Sequence, residues 1–169
     1  MNMYKRNGKS GMTLIEILIV VSLLGILAGV LVRSLGSSME SGKKATARLF
    51  CDTTARNMVL MHNQLMGTLP ADYAAMITSK VATAEALKDP WGREHNRGGY
   101  QLLPVVIGGA PAAAGGGAPA ANAVFAWIQY PDGAAAFAPG GGLANVAAAE
   151  GAVTTYITSG DGYAALIKP

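Results

Sequence analysis

The chain has 169 residues, enough for one modest domain and an anchor, and alanine supplies much of its 51% hydrophobic fraction. Its net charge of +3 arises at the N-terminus, because removing Lys5, Arg6 and Lys9 from the thirteen basic residues leaves ten, equal to the ten acidic ones. A neutral remainder gives no support for nucleic-acid binding. The single cysteine, Cys51, excludes an intrachain disulfide.

The first predicted element is an apolar helix over residues 12–32, where a helix would be about 31 Å long, close to the hydrocarbon thickness of a bilayer. The interruptions are Thr13, Glu16, Ser22, Gly25 and Gly29. The basic residues before it predict a cytoplasmic N-terminus and a C-terminal part across the membrane. Glu16 is unexpected, since a carboxylate in hydrocarbon costs about 2.5 to 3.5 kcal/mol.

A cleavable secretory signal would have a shorter apolar run and a small-residue cleavage site after it, and a plain signal anchor would leave Glu16 unexplained. Here the small residue precedes the run. The stretch Gly11-Met12-Thr13-Leu14-Ile15-Glu16, between a basic leader and an apolar helix, resembles the prepilin signal of type IV pilins and type II secretion pseudopilins. Members of this family usually have Phe where this chain has Met12.

The resemblance implies that a prepilin peptidase cleaves between Gly11 and Met12 on the cytoplasmic side and methylates the new amine. It also implies that an inner-membrane platform protein and an ATPase assemble the chain, with copies of itself and other pilin-like subunits, into a filament. The processed chain would wait in the bacterial inner membrane as a single-pass protein with a periplasmic head, and then enter an extracytoplasmic filament.

Glu16 has a physical role in such a filament. A charged amine on Met12 is expensive among apolar helices unless an opposite charge neutralises it. Glu16 of a neighbouring subunit would do so and would set the axial register. The i, i+4 spacing also lets Glu16 reach the amine of its own chain, and a tolerated polar residue near the membrane interface is the remaining alternative.

The helix is predicted to continue through residues 35–66, which contain no proline, as an amphipathic half. Apolar residues at helical spacing are predicted to pack against a sheet: Phe50, Met58, Met61 and Leu65. Gly67 and Pro70 end this helix. A short helix is predicted over residues 81–87.

The stretch Asp89-Pro90-Trp91-Gly92 is typical of a turn. It also resembles the segment of the major type II secretion pseudopilin that enters its small sheet, which implies that Trp91 covers the core. This resemblance favours a pseudopilin over a pilus pilin.

The remainder reads as β-rich, with strands predicted over residues 99–107, 123–130, 153–158 and 163–167 and flexible loops over residues 108–121 and 139–142. The predicted fold is therefore α+β, a pilin-like long N-terminal helix packed on a small antiparallel sheet. Its predicted segments are a cleaved leader (1–11), an assembly helix (12–34), an amphipathic helix (35–66) and a β-rich head (67–169).

Major pseudopilins commonly bind calcium near the C-terminus, and here the resemblance implies Asp161 with Asp132 as a second ligand. Two carboxylates are few for a cation that takes six to eight oxygens, so Asp161 also reads as a turn residue.

No enzyme is predicted: His62 and His95 are isolated, and Ser159-Gly160-Asp161 does not form a triad. The predicted function is a structural subunit of a type II secretion pseudopilus that helps to export folded proteins. The alternatives are a type IV pilin of a surface fibre for adhesion, motility or DNA uptake, and a non-assembling membrane-anchored binding module.

Overall fold

A computed structural model describes residues 12–108, 121–140 and 143–169. The chain divides into two compact units, residues 1–41 and residues 42–169. The cleavage residue Gly11 and most of the loop predicted over residues 108–121 lie outside the described residues. The predicted division of the chain into a leader, an assembly helix, an amphipathic helix and a head stays a prediction.

The long N-terminal helix comprises α1 (Leu14–Leu49), one π-helical turn (Phe50–Thr54) and α2 (Ala55–Met66). It ends as predicted at Gly67, whose φ of 70° lies in the left-handed region and whose N–H donates to the Asn63 carbonyl at 2.8 Å. Glycine reaches this conformation without steric cost, so it is the usual residue at this position.

Three antiparallel strands form the sheet in the order β1 (Gln101–Val105), β2 (Ala123–Gln129) and β3 (Gly162–Ile167). Each lies within or next to a strand predicted from the sequence. The α+β prediction, a long N-terminal helix with a small antiparallel sheet, is confirmed.

Two predicted elements of the head were wrong. Residues 153–158 are not a strand but part of α4 (Val146–Ser159), because the Asn145 side chain accepts the N–H of Ala148 at 2.9 Å and left-handed Gly160 closes the helix. The helix predicted over residues 81–87 is absent from the described chain. The short helix there is α3 (Tyr73–Thr78), which the Asp72 carboxylate caps at the N–H of Ala75.

Residues 42–169 form three layers, with the sheet between the long helix and α4. On the helix side, Phe50 stacks on Tyr100 with ring centroids 3.7 Å apart, and Cys51 is fully buried. On the α4 side, Phe125 and Phe137 pack with Tyr156. The two faces of β2 thus contribute alternate residues to the two cores.

The prediction that four apolar residues of the helix pack against the sheet is confirmed for two of them. Phe50 is buried and Met58 packs against the core, but Met61 and Leu65 are 51% and 61% exposed. The π-helical turn adds one residue to the helix, so the positions that follow face the sheet one residue later. Val59 and His62 are therefore buried in the core, whereas Met61 is exposed.

Candidate assembly site

The start of α1 is fixed by a contact between Thr13 and Glu16. Glu16 Oε2 accepts hydrogen bonds from the Thr13 N–H at 2.8 Å and from Thr13 Oγ1 at 3.0 Å. This is the return half of a capping box, in which the third helical residue bonds the amide before the helix. A carboxylate here also faces the partial positive charge of the helix N-terminus, which favours an anion.

Sequence reasoning missed Thr13 as the partner of Glu16, although the Thr-x-x-Glu spacing was the available signal. Met12 directly precedes Thr13 and is 70% exposed. The Glu16 carboxylate thus bonds the residue next to the predicted new N-terminus. Its pairing with a Met12 amine stays a prediction, because that amine exists only after cleavage.

The helix that follows exposes its apolar side chains. Its large apolar side chains between residues 14 and 35 are all exposed, from 44% at Ile17 to 84% at Leu14. In the described part of the chain this is the one helix long and apolar enough to cross a membrane. Side chains of this kind leave water for lipid or for the apolar surface of another protein.

Residues 6–32 match the family model of the prokaryotic N-terminal methylation motif. The chain carries the prepilin-type signal of type IV pilins and pseudopilins. The signal encloses Gly11, Met12 and Glu16, and it supports a type IV pilin-like or pseudopilin precursor with an N-terminal membrane anchor and a structural role. Comparison of the chain with curated proteins and with solved structures finds no match.

The stretch Asp89-Pro90-Trp91-Gly92 forms a turn built around a buried carboxylate. Asp89 Oδ1 accepts the N–H groups of Trp91 at 3.0 Å and Arg93 at 2.7 Å, and Oδ2 pairs with Arg93 Nε at 2.6 Å. The Asp89 side chain is fully buried, whereas that of Arg93 is 24% exposed.

Arg93, which sequence reasoning did not single out, joins this turn to the sheet. Its Nη2 donates to the Gln129 carbonyl at 2.6 Å, and its guanidinium lies 5.4 Å from the Trp91 ring centre. Trp91 is half-buried and packs against the helix-side core, where the sequence predicted it. The turn therefore has a structural role, since the Asp89 carboxylate is buried.

Three polar side chains of the long helix, Lys44, Arg48 and Asp52, contact the sheet or the turn that follows β2. Lys44 pairs with Asp132 at 2.9 Å and lowers the pKa of that carboxyl. Arg48 Nε donates to Tyr130 Oη at 2.9 Å, which raises the pKa of the guanidinium. The hydroxyl of Tyr163 donates to Asp52 at 2.9 Å. Burial is the larger cause, and this hydrogen bond the smaller one, that raises the pKa of Tyr163 to about 12.

The predicted calcium ligands are both engaged. Asp132 pairs with Lys44, and Asp161 Oδ1 accepts the Ala134 N–H at 2.9 Å. Among the described residues no three His, Cys, Asp or Glu side chains lie together as a metal-binding group. Two engaged carboxylates do not fit a cation that takes six to eight oxygens.

The histidines and the cysteine have structural contacts. His62 is buried with Nδ1 at 3.1 Å from the Thr68 carbonyl, and His95 lies edge-on to Tyr73. Burial raises the pKa of the Cys51 thiol, which disfavours the reactive thiolate.

Proposed function

We propose that the chain is a structural subunit of a type II secretion pseudopilus, cut by a prepilin peptidase after Gly11 and polymerised through α1. The methylation motif over residues 6–32 carries this proposal. The turn at Asp89-Pro90-Trp91-Gly92, which resembles the major pseudopilin, favours a pseudopilus over a surface pilus. The platform protein and ATPase that the resemblance implies would supply the assembly machinery.

The exposed apolar side chains of α1 support assembly but do not specify its geometry. Burying one Leu, Ile or Val from water contributes about 1.5 to 3 kcal/mol. In a bilayer these side chains are already in an apolar medium, so moving them into a filament gains much less. A polar contact is therefore suited to set the register between subunits.

Glu16 is suited to that contact. The processed chain places a positive amine on Met12, at the helix end where the dipole disfavours a cation. Thr13 holds Glu16 Oε2 toward this end, and Oε1 makes no hydrogen bond with the described residues. The carboxylate thus offers a fixed negative charge to an amine of its own chain or of a neighbouring subunit.

Co-expression with the wild-type chain tests this role. Glu16→Ala is expected to be processed normally but to be excluded from filaments pelleted with wild-type subunits. Ser22→Ala is the matched control, because Ser22 is polar, lies in the same span and, among the described residues, bonds only the Leu18 carbonyl of its own helix. Incorporation of Glu16→Ala at the level of Ser22→Ala would contradict the register role.

Deletion of the gene separates the pseudopilus from its alternative. A pseudopilin mutant is expected to retain folded export proteins in the periplasm and to recover secretion on complementation. Long surface fibres that contain this chain, together with intact secretion in the mutant, would instead identify a type IV pilin.

A further inference from the structure

Residues 71–88 form a flap that is held on the helix-side core by packed side chains. Tyr73, Met76 and Leu87 of the flap are fully buried in that core. The hydrogen bonds and ion pairs of the flap all join residues within it, so none reaches the rest of the described chain. A segment without polar bonds to its surroundings is suited to open before the remainder of the fold.

Both ends of the flap are fixed. Before it, His62 Nδ1 lies 3.1 Å from the Thr68 carbonyl. After it, the Asp89 carboxylate pairs with Arg93, which in turn donates to the Gln129 carbonyl of β2. A flap that is anchored at both ends can lift from the core without separating the strands.

The closed flap buries a hydroxyl that has no partner. Tyr73 Oη is buried and accepts or donates no hydrogen bond among the described residues. Such a group lacks the hydrogen bonds that water would supply, and lifting the flap restores them. Lys80 also disfavours the closed flap, because its φ of 59° lies in the left-handed region, which residues other than glycine rarely adopt.

The Cys51 thiol lies next to the flap. Cys51 is fully buried in the same core as Tyr73. Burial, and then the nearby thiol, raise the pKa of the Tyr73 hydroxyl well above its usual value. The ring centre of Phe50, which precedes Cys51 in the chain, is 6.4 Å from that of Tyr73. Displacement of the flap therefore uncovers this part of the long helix.

We propose that the flap opens as a unit while the long helix and the sheet stay folded, and that this opening exposes the Cys51 thiol to solvent. The open state gives the head an apolar surface around Phe50 and Tyr100 that the closed state hides. The proposal concerns the head alone and does not depend on cleavage, membrane insertion or polymerisation.

The reaction of the full chain in detergent micelles with excess dithionitrobenzoate tests the opening, because Cys51 is the one cysteine of the chain. At urea concentrations below the unfolding transition, the labelling rate is expected to rise much less steeply with urea than the unfolding equilibrium, since local opening exposes less surface. A rate that rises as steeply as that equilibrium, or no labelling below the transition, would overturn the proposal.

A matched pair of substitutions tests the role of the buried hydroxyl. Tyr73→Phe is expected to slow labelling about tenfold, because it removes the unsatisfied group from the closed flap. Tyr156→Phe is the control, since its hydroxyl donates to the Ala135 carbonyl at 3.2 Å on the opposite side of the sheet. It weakens the fold without changing the flap and is expected to leave the labelling rate unchanged. An unchanged rate in Tyr73→Phe, or a rate in Tyr156→Phe that rises with its unfolding equilibrium, would contradict local opening.

Discussion

Loss of the Asp89 carboxylate is expected to lower the free energy of unfolding of the head markedly. Asp89→Ala removes the acceptor of two part-buried N–H groups and leaves the Arg93 guanidinium with the Gln129 carbonyl and the Trp91 ring. Breaking a buried ion pair costs about 3 to 5 kcal/mol. Because the Arg93 side chain is 24% exposed and regains some water, we expect the lower end, about 3 kcal/mol, or roughly a 100-fold fall in the ratio of folded to unfolded chain.

Urea unfolding of the full chain in micelles, followed by tryptophan fluorescence, measures this loss. Asp89→Asn keeps an acceptor for the two amides and is expected to cost about 1 to 2 kcal/mol. Glu94→Ala removes the partner of Arg97 in an exposed pair, 3.8 Å apart, and is expected to cost under about 1 kcal/mol. An Asp89→Ala variant as stable as Glu94→Ala would refute the reasoning.

Three further results are expected. Gly133→Ala would place a Cβ onto the Asp161 carbonyl oxygen and is expected to cost about 1 to 3 kcal/mol in the same unfolding assay, whereas Gly140→Ala, with open space around it, should not. Tyr163 has a pKa of about 12 in the folded chain, above the usual value of about 10, so its contribution to stability is complete below pH 10 and lost as the pH rises to 12. Alkaline titration followed by tyrosinate absorbance should lose amplitude near pH 12 in Tyr163→Phe, and an unchanged curve would contradict this. Calcium at about 1 mM is expected to leave the midpoint of urea unfolding unchanged relative to EDTA. A clear rise in the midpoint would show that the folded chain binds calcium.

Local sequence patterns predicted the elements that depend on local chemistry. The stretch from Gly11 to Glu16 before an apolar run identified the prepilin-type signal, and Gly67 with Pro70 predicted the end of the long helix. The strands β2 and β3 followed from short apolar runs bounded by turn residues.

The sequence did not predict what depends on tertiary packing. The β-branched residues at 153–158 favour a strand, but Asn145 and Gly160 cap a helix and Tyr156 anchors it to the α4-side core. The π-helical turn gave no recognisable signal, and it moved Met61 and Leu65 out of the core. The Arg93–Asp89 pair likewise required knowledge that the turn is buried.

The intact mass of the mature chain, purified from cells with and without the prepilin peptidase, tests the account most directly. Cells with the peptidase are expected to yield residues 12–169 with one added methyl group on the Met12 amine, and cells without it the full chain. A mature chain that still begins before Met12 in cells with the peptidase would leave Glu16 without its proposed positive partner and would contradict the account.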